Sequence, residues 1–275
     1  MIRAKENGNI PILECNNSTV PNTYFNLIKL KKSEEYKFTL DSHESITVVL
    51  SGNCDIQVDE KLYTNVGKRK DVWSGNADSV YAGTGAEVKI KSNSNNTEAV
   101  IGGGKCQKKF DSFRVNPDDV DMVDVGSNET KSHRQIFHIL GQQTNGRTGN
   151  LLISELYCDE GCWSGYPPHK HDCDRKDESN FEETYYYRFD PENGFGAQYC
   201  YSEGKEPDCF MTKDGDTFAF SKGYHPTVTS PGHREYIFTL LVGITQHSLV
   251  QYFMEDYRHL MNSIPGIDDM VAKFR

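Results

Sequence analysis

The chain has no run that approaches the ~20 apolar residues of a membrane-spanning helix. Its first ten residues, MIRAKENGNI, hold no apolar stretch of the signal-peptide kind. A cytoplasmic protein with no membrane partner is expected. Blocks of basic residues are also missing. Lys and Arg number 30 against 40 Asp and Glu, for a net charge of −10, and the cations are scattered. That pattern excludes the electrostatic footprint of a nucleic-acid binder, while a local cationic site for an anionic small molecule remains open. The 8 cysteines follow no disulfide framework, so reduced thiols are expected. Cys158 and Cys162 form a loose CxxxC. Without a second pair to complete a zinc site, they read as small side chains near a strand end. Helical patterning is scarce too: the one strong candidate is SLVQYFMEDYRHLMNSI (248–264), where Leu249, Phe253, Leu260 and Ile264 fit the period of a core or interface face.

What is abundant is alternation with period two. YFNLIKL (24–30), YKFTL (36–40), SITVVLSG (45–52), CDIQVD (54–59), VYAG (80–83) and AEVKIKS (86–92) are short and separated by Gly, Asn and Asp. A second set follows: RQIFHIL (134–140), NLLISELYC (150–158), ETYYYRF (183–189), AQYCY (197–201), DTFAF (216–220) and EYIFTLLVG (235–243). This is the signature of all-β, antiparallel barrels or sandwiches. The acidic, Pro/Gly-punctuated stretch 114–133 reads as a linker. Two similar β-domains are expected, over residues 1–118 and 119–275.

Chemistry concentrates in the second half. YPPHKHD (166–172) places His169 and His171 two apart, so an extended backbone points both imidazoles to one face and turns Lys170 to the other. Pro167 and Pro168 favour that extended entry and cannot donate ladder hydrogen bonds. Two imidazoles do not hold a metal tightly. Candidates to complete the set are Glu183, which shares a strand face with Tyr185 and Tyr187, and His225 in KGYHPTV, where Gly223 permits a tight turn. Imidazoles plus a carboxylate suit a divalent transition metal with open coordination positions: zinc by default, with manganese, iron or nickel as alternatives.

HxH, Glu and His in that order, with GDTFAFSKGYH (215–225), resemble the two metal-binding motifs of the cupin barrel. Two departures stand out. Eleven residues, DCDRKDESNFE (172–182), separate His171 from Glu183, and His225 lies one residue closer to its Gly than usual. A narrower family absorbs both. PPHKHD (167–172), EETYYYRF (182–189), GFGAQYCYSEG (194–204) and GYHP (223–226) resemble the 5-deoxy-glucuronate isomerase family of inositol catabolism, a distant relative of 5-keto-4-deoxyuronate isomerase. The resemblance spans residues ~20–243. It implies a bicupin, with His169, His171, Glu183 and His225 as metal ligands and Glu183 preferred to Glu182. VVLSG (48–52) fits the family's first barrel, where His43 and Glu44 stand without an HxH, so that barrel is expected to be structural. After Gly243 the chain departs from the family's usual basic, Trp-containing stretch.

The activity implied is an aldose–ketose isomerisation of 5-deoxy-D-glucuronate to 2-deoxy-5-keto-D-gluconate, with one divalent metal and no organic cofactor. A metal-dependent cupin dioxygenase and a non-catalytic sugar-binding cupin are the alternatives. Tyr185 and Tyr187 are the candidate acid/base residues by strand phase. Gln198, in AQYCY, and Tyr236, in the last long strand, are candidates for substrate contact. The insert 172–182 is expected to be a long loop at the barrel mouth, with most acidic side chains in solvent and Arg175 or Lys176 offsetting them. A homodimer or larger homo-oligomer is the expected assembly.

Overall fold

The computed structural model describes residues 1–3 and 8–274. The chain divides into two compact units, and the division is not a single cut: Glu6–Asp121 is joined by Gln143–Leu151, while Met122–Gln142 and Leu152–Arg275 form the other unit with the N-terminal residues.

The first unit consists of two antiparallel sheets. One has five strands, in the order Thr23–Lys31, Asn96–Lys105, His43–Ser51, Asp78–Ala82 and Phe113–Val115. The other has four, in the order Glu35–Thr39, Glu87–Ser92, Cys54–Val58 and Lys61–Val66. Alternation dictates the packing. In Cys54–Val58 every second side chain is buried, and Ile56, Val58, Val88 and Ile90 of the smaller sheet join Ile28, Val49, Val80 and Ile101 of the larger in one core. The returning segment is held by Glu44, whose buried carboxylate accepts the backbone N–H groups of Gly149, Asn150 and Leu151 and the hydroxyl of Tyr81.

The second unit repeats the plan with more strands in its larger sheet. Its seven-stranded sheet runs Asp121–Val125, Arg134–Leu140, Leu151–Cys158, Arg234–Gly243, Glu178–Asp190 and Asp172–Arg175, with Thr217–Phe220 also paired to Glu178–Asp190. A four-stranded sheet runs Trp163–Ser164, Thr227–Thr229, Phe195–Cys200 and Asp208–Lys213. Phe181, Tyr185, Tyr187, Phe218, Phe220, Ile237 and Leu241 fill the core between them. Cys158 and Cys162 are free thiols in the same core. Ile2 extends the unit by pairing with Thr217, and Arg3 forms an ion pair with Asp216.

Three local expectations are corrected. The stretch 114–133 is not wholly linker, because Val123 and Val125 alternate inward and make Asp121–Val125 a strand. The helix expected over 248–264 does not form. Tyr252–Phe253 is a strand paired with His169–Lys170, Glu255–Asn262 is a 3-10 helix, and the α-helix is Ile267–Phe274. Leu249, Phe253 and Ile264 are buried as their spacing implied, but only Phe253 lies in a regular element, the strand. Pro265 precedes Gly266, which adopts φ +70° where a Cβ would come within 2.1 Å of the Asp124 carbonyl oxygen, so the chain turns there before the helix starts. The insert 172–182 is not a long loop either. Asp172–Arg175 pairs back on Glu178–Asp190 with Arg175 opposite Glu178, leaving Lys176 and Asp177 as a two-residue turn. The sheet is extended outward and turned tightly.

Candidate metal centre

Three elements deliver the site. The short strand His169–Lys170 carries the first imidazole, and His171 follows it. Glu183 lies on the central strand Glu178–Asp190, opposite Leu241 on one side and Phe220 on the other. His225 sits in the turn after Gly223, whose φ of +90° and close approach to the Tyr201 carbonyl oxygen leave no room for a side chain. The hairpin ties these elements together. The Lys170 ammonium binds Asp172 at 2.7 Å and Glu178 at 2.8 Å, the other Asp172 oxygen accepts the Gly223 N–H at 2.9 Å, and Arg175 reaches Glu178 at 2.8 Å. Of the insert's acidic residues, Asp174 and Asp177 are exposed, whereas Glu178 and Glu182 are buried. Lys170 and Arg175 neutralise Glu178, and this paired cluster braces the turn that carries His225.

The imidazole nitrogens of His169, His171 and His225 lie within 4.8 Å of one another, and all three residues are buried. Each Nδ1 faces a backbone carbonyl: that of Pro167 for His169 at 3.2 Å, Phe181 for His171 at 3.2 Å and Gly223 for His225 at 2.9 Å. A carbonyl only accepts, so each ring carries a proton on Nδ1, and each Nε2 would present its lone pair to a metal bound at the centre. Glu183 Oε2 lies 2.9 Å from His171 Nε2 and 3.3 Å from His225 Nε2. The electrostatics organise around the Glu183 carboxylate. Burial alone would raise Glu183, but the hydrogen bond to His171 and the nearness of the His171 and His225 rings hold it far below the usual carboxylate range. Burial likewise opposes the charged form of His171, yet Glu183 overrides it and the net shift is upward. His169 goes the other way, driven well down by burial and by its two imidazole neighbours.

The residues fit a divalent metal. His225 Nε2 is buried without a hydrogen-bond partner among the described residues, and such an atom costs about 1–3 kcal/mol unless something satisfies it. Three imidazoles and a carboxylate are the donor set that a transition ion prefers.

A cavity of about 40 Å³ adjoins the cluster, lined by His169, His171, Glu183 and Tyr185 together with Arg134 and Gln251. Tyr185 therefore faces the cavity. Tyr187, Gln198 and Tyr236 are not among its lining residues. The Tyr187 hydroxyl donates to Gln198 Oε1 at 2.6 Å, and the Gln198 amide donates to the carbonyls of Tyr199, His225 and Pro226. Gln198 thus steadies the His225 turn from behind. Tyr236 lies on the opposite face of its strand from Thr239 and Leu241, and it donates to Glu155 at 2.7 Å. In the first unit, His43 is buried beside Ser42 and Cys15. Two cavity residues carried no signal in the sequence. Arg134 opens RQIFHIL and reads there as a strand-end charge, and Gln251 falls in the misassigned helix.

An all-β chain with two antiparallel double-sheet units, one of them holding a buried histidine cluster suited to a metal ion, is a bicupin. Solved structures agree. The fold matches an IolB-like protein from Salmonella typhimurium LT2 with a TM-score of 0.82 and 24% identity, covering 87% of this chain and 90% of that one. It matches an oxalate decarboxylase of Bacillus subtilis with a TM-score of 0.62 and 10% identity, over 94% of this chain and 79% of that one, a likeness of fold alone. The chain belongs to the KduI/IolB family, whose model matches residues 1–260. It is 30% identical over 222 residues to a 5-deoxy-glucuronate isomerase of Shouchella clausii (strain KSM-K16), covering 80% of each chain. It is 29% identical over 233 residues to the 5-deoxy-glucuronate isomerase of Bacillus subtilis (strain 168), covering 84% of each.

Proposed function

We propose that the chain is a metal-dependent aldose–ketose isomerase that converts 5-deoxy-D-glucuronate to 2-deoxy-5-keto-D-gluconate in myo-inositol breakdown in the cytoplasm. The observation that carries this reading is the buried cluster of His169, His171 and His225, the latter two against Glu183, beside a cavity, in a family whose curated relatives bear that activity in their names. These four side chains would hold the ion through imidazole Nε2 and carboxylate oxygen. Zinc is the first choice, with manganese, iron and nickel tested beside it. The unit bearing His43 serves as scaffold, and the chain assembles as a homodimer or larger homo-oligomer.

The reaction moves one proton between adjacent carbons and one between their oxygens. No net electron transfer occurs, and no organic cofactor is required. A bound divalent cation supplies Lewis acidity, which stabilises negative charge on substrate oxygen as the carbon proton leaves. Tyr185 keeps its own proton at neutral pH, because burial and the neighbouring Glu183 charge push its phenol well above its usual value. It therefore acts by donating a hydrogen bond or proton to a substrate oxygen, and not as the base. Ile136, Leu156, Leu241, Leu249 and Met270 wall the cavity and keep water from the reacting atoms. A cavity of about 40 Å³ is far below the ~300 Å³ of an ordinary small-molecule pocket. Leu249, Gln251, Met270 and Phe274, all from the C-terminal segment, must therefore shift to admit a sugar acid.

The test is an anaerobic incubation of the metal-loaded protein with 5-deoxy-D-glucuronate in D₂O, followed by NMR. Ketose should accumulate, with solvent deuterium at the former aldehyde carbon. Oxygen-dependent turnover would assign a dioxygenase instead, and binding without turnover would assign a sugar-binding module.

A further inference from the structure

We propose that Arg134 is the residue that recognises the substrate carboxylate. This rests on the reading above that the substrate is a uronic acid. Arg134 begins the strand Arg134–Leu140 and is 2% exposed, among the largest fully buried side chains of the protein. Its hydrogen bonds go to neutral acceptors only: Nη1 donates to the Ser132 carbonyl at 2.9 Å, and Nη2 to the Tyr166 carbonyl at 3.0 Å and the Met270 thioether at 3.7 Å. Among the described residues no carboxylate forms an ion pair with it. Burial lowers its pKa to about 10, which still leaves the guanidinium protonated at neutral pH. A buried cation is ordinarily paired with an anion, because leaving it alone in a low-dielectric interior is costly. A cation held without a counter-ion next to a catalytic cavity is accounted for if the ligand brings the counter-ion.

Placement supports the assignment. Strand alternation puts Arg134 and Ile136 on the face that lines the cavity, beside Ser154 and Leu156 of the neighbouring strand, and His169, His171 and Glu183 line the same cavity. The planar fork of a guanidinium matches a carboxylate in bidentate fashion, which a lysine would not. Of its three acceptors, the Met270 sulfur is the weakest and belongs to the covering helix, so its displacement sacrifices little. The substrate fits the arrangement chemically: the reacting aldehyde and 2-hydroxyl lie at one end of a six-carbon chain and the carboxylate at the other. The histidine cluster takes the first end, and Arg134 takes the second.

The experiment compares D-glucuronate with D-glucose, which lacks the carboxylate, as ligands of the full metal-loaded chain by calorimetric titration. The wild type should favour glucuronate. In Arg134→Gln, with metal content and circular dichroism unchanged, that preference should fall about ten- to a hundredfold, the equivalent of one charged hydrogen-bonding contact. A wild type without the preference, or a folded Arg134→Gln that keeps it, overturns the proposal. Should Arg134→Gln fail to fold, arginine-selective ¹⁵N labelling of the wild type decides. Glucuronate, and not glucose, should shift a solvent-protected guanidinium resonance, and no shift overturns the proposal. Isomerisation is read separately. Absent turnover with the charge preference intact would sink the proposed reaction and leave Arg134 as an anion site.

Discussion

The amide nitrogen of Gln251 lies 2.9 Å from Nε2 of His169. Because Nδ1 of that ring faces the Pro167 carbonyl, Nε2 is the acceptor, and the Gln251 N–H points at the lone pair that a metal would use. The next two residues, Tyr252 and Phe253, pair with Lys170 and His169. The covering segment is thus attached to the ligand strand by main chain and side chain together.

Gln251→Ala should therefore tighten metal binding. The amide competes with the ion for His169, and a hydrogen bond of this kind is worth about 0.5–1.5 kcal/mol, or roughly two- to tenfold in affinity. Titration of the metal-free protein against a chromogenic chelator measures the change. Weaker binding in the variant would mean that Gln251 orients the ring for the metal and does not compete for it.

The double variant His169→Ala/His171→Ala should lose the metal while keeping the fold. It removes two of the four donors, whereas the core of this unit is apolar elsewhere. Elemental analysis should fall from about one ion per chain, the number a single cluster would hold, to near zero. Far-UV circular dichroism should be unchanged. Near-full occupancy in the variant would place the metal elsewhere in the protein.

Much of this site was legible because strands enforce parity. His169 and His171 had to share a side, as did Glu183 and Tyr185, and a histidine after a glycine turn was a natural partner. Parity could not say which of the residues on that face reach a cavity, so Tyr187 and Tyr185 looked alike until the Tyr187 hydroxyl was seen bound to Gln198. Loop length misled at 172–182, because polar residues on both arms concealed an extension of the sheet braced by Lys170 and Glu178. Helical spacing misled at 248–264, because Leu249 before a short strand, Phe253 within it and Ile264 in the bend after a 3-10 helix are buried as well as one helix could bury them. Arg134 was silent for a different reason. Its significance lies in the acidic partner it lacks, and a sequence does not display missing contacts.

Glu235 should make stability depend on pH. It is fully buried, neither carboxylate oxygen has a hydrogen-bond partner among the described residues, and burial pushes its pKa from 4.5 to about 8. Below about 4.5 both the folded and the unfolded chain hold the proton, and its contribution to stability is fully present. As pH rises from there, the unfolded chain releases the proton first, so stability falls until the folded carboxyl titrates near 8 and then levels off. Glu235→Gln should remove this loss, raising stability on the order of 2–4 kcal/mol at pH 8 and barely at pH 4.5. Denaturant unfolding at the two pH values is the measurement. Equal effects at both would show that the side chain keeps its charge in the folded state.

The last prediction concerns Glu44, which stands beside His43 in the barrel expected to be structural and bonds a returning stretch of chain. Its oxygens accept from Gly149 at 2.7 Å, from Leu151 at 3.0 Å, from Asn150, and from the Tyr81 hydroxyl at 2.5 Å. All four partners are donors, so the site requires a group that only accepts. In Glu44→Gln one oxygen becomes an NH₂ facing an N–H or O–H, and at least one buried donor is left without an acceptor. The expected cost is about 2–4 kcal/mol of stability, from the loss of charged hydrogen bonds and the orphaned donor. Tyr81→Phe removes a single donor and leaves the carboxylate's other bonds intact, so it should cost only about 1 kcal/mol. Hydrogen exchange by mass spectrometry locates the effect. Amides of 149–151 should lose protection in Glu44→Gln, while metal content stays the same because no ligand is touched. Unchanged protection there would mean that strand pairing alone holds the segment and that Glu44 only fills space.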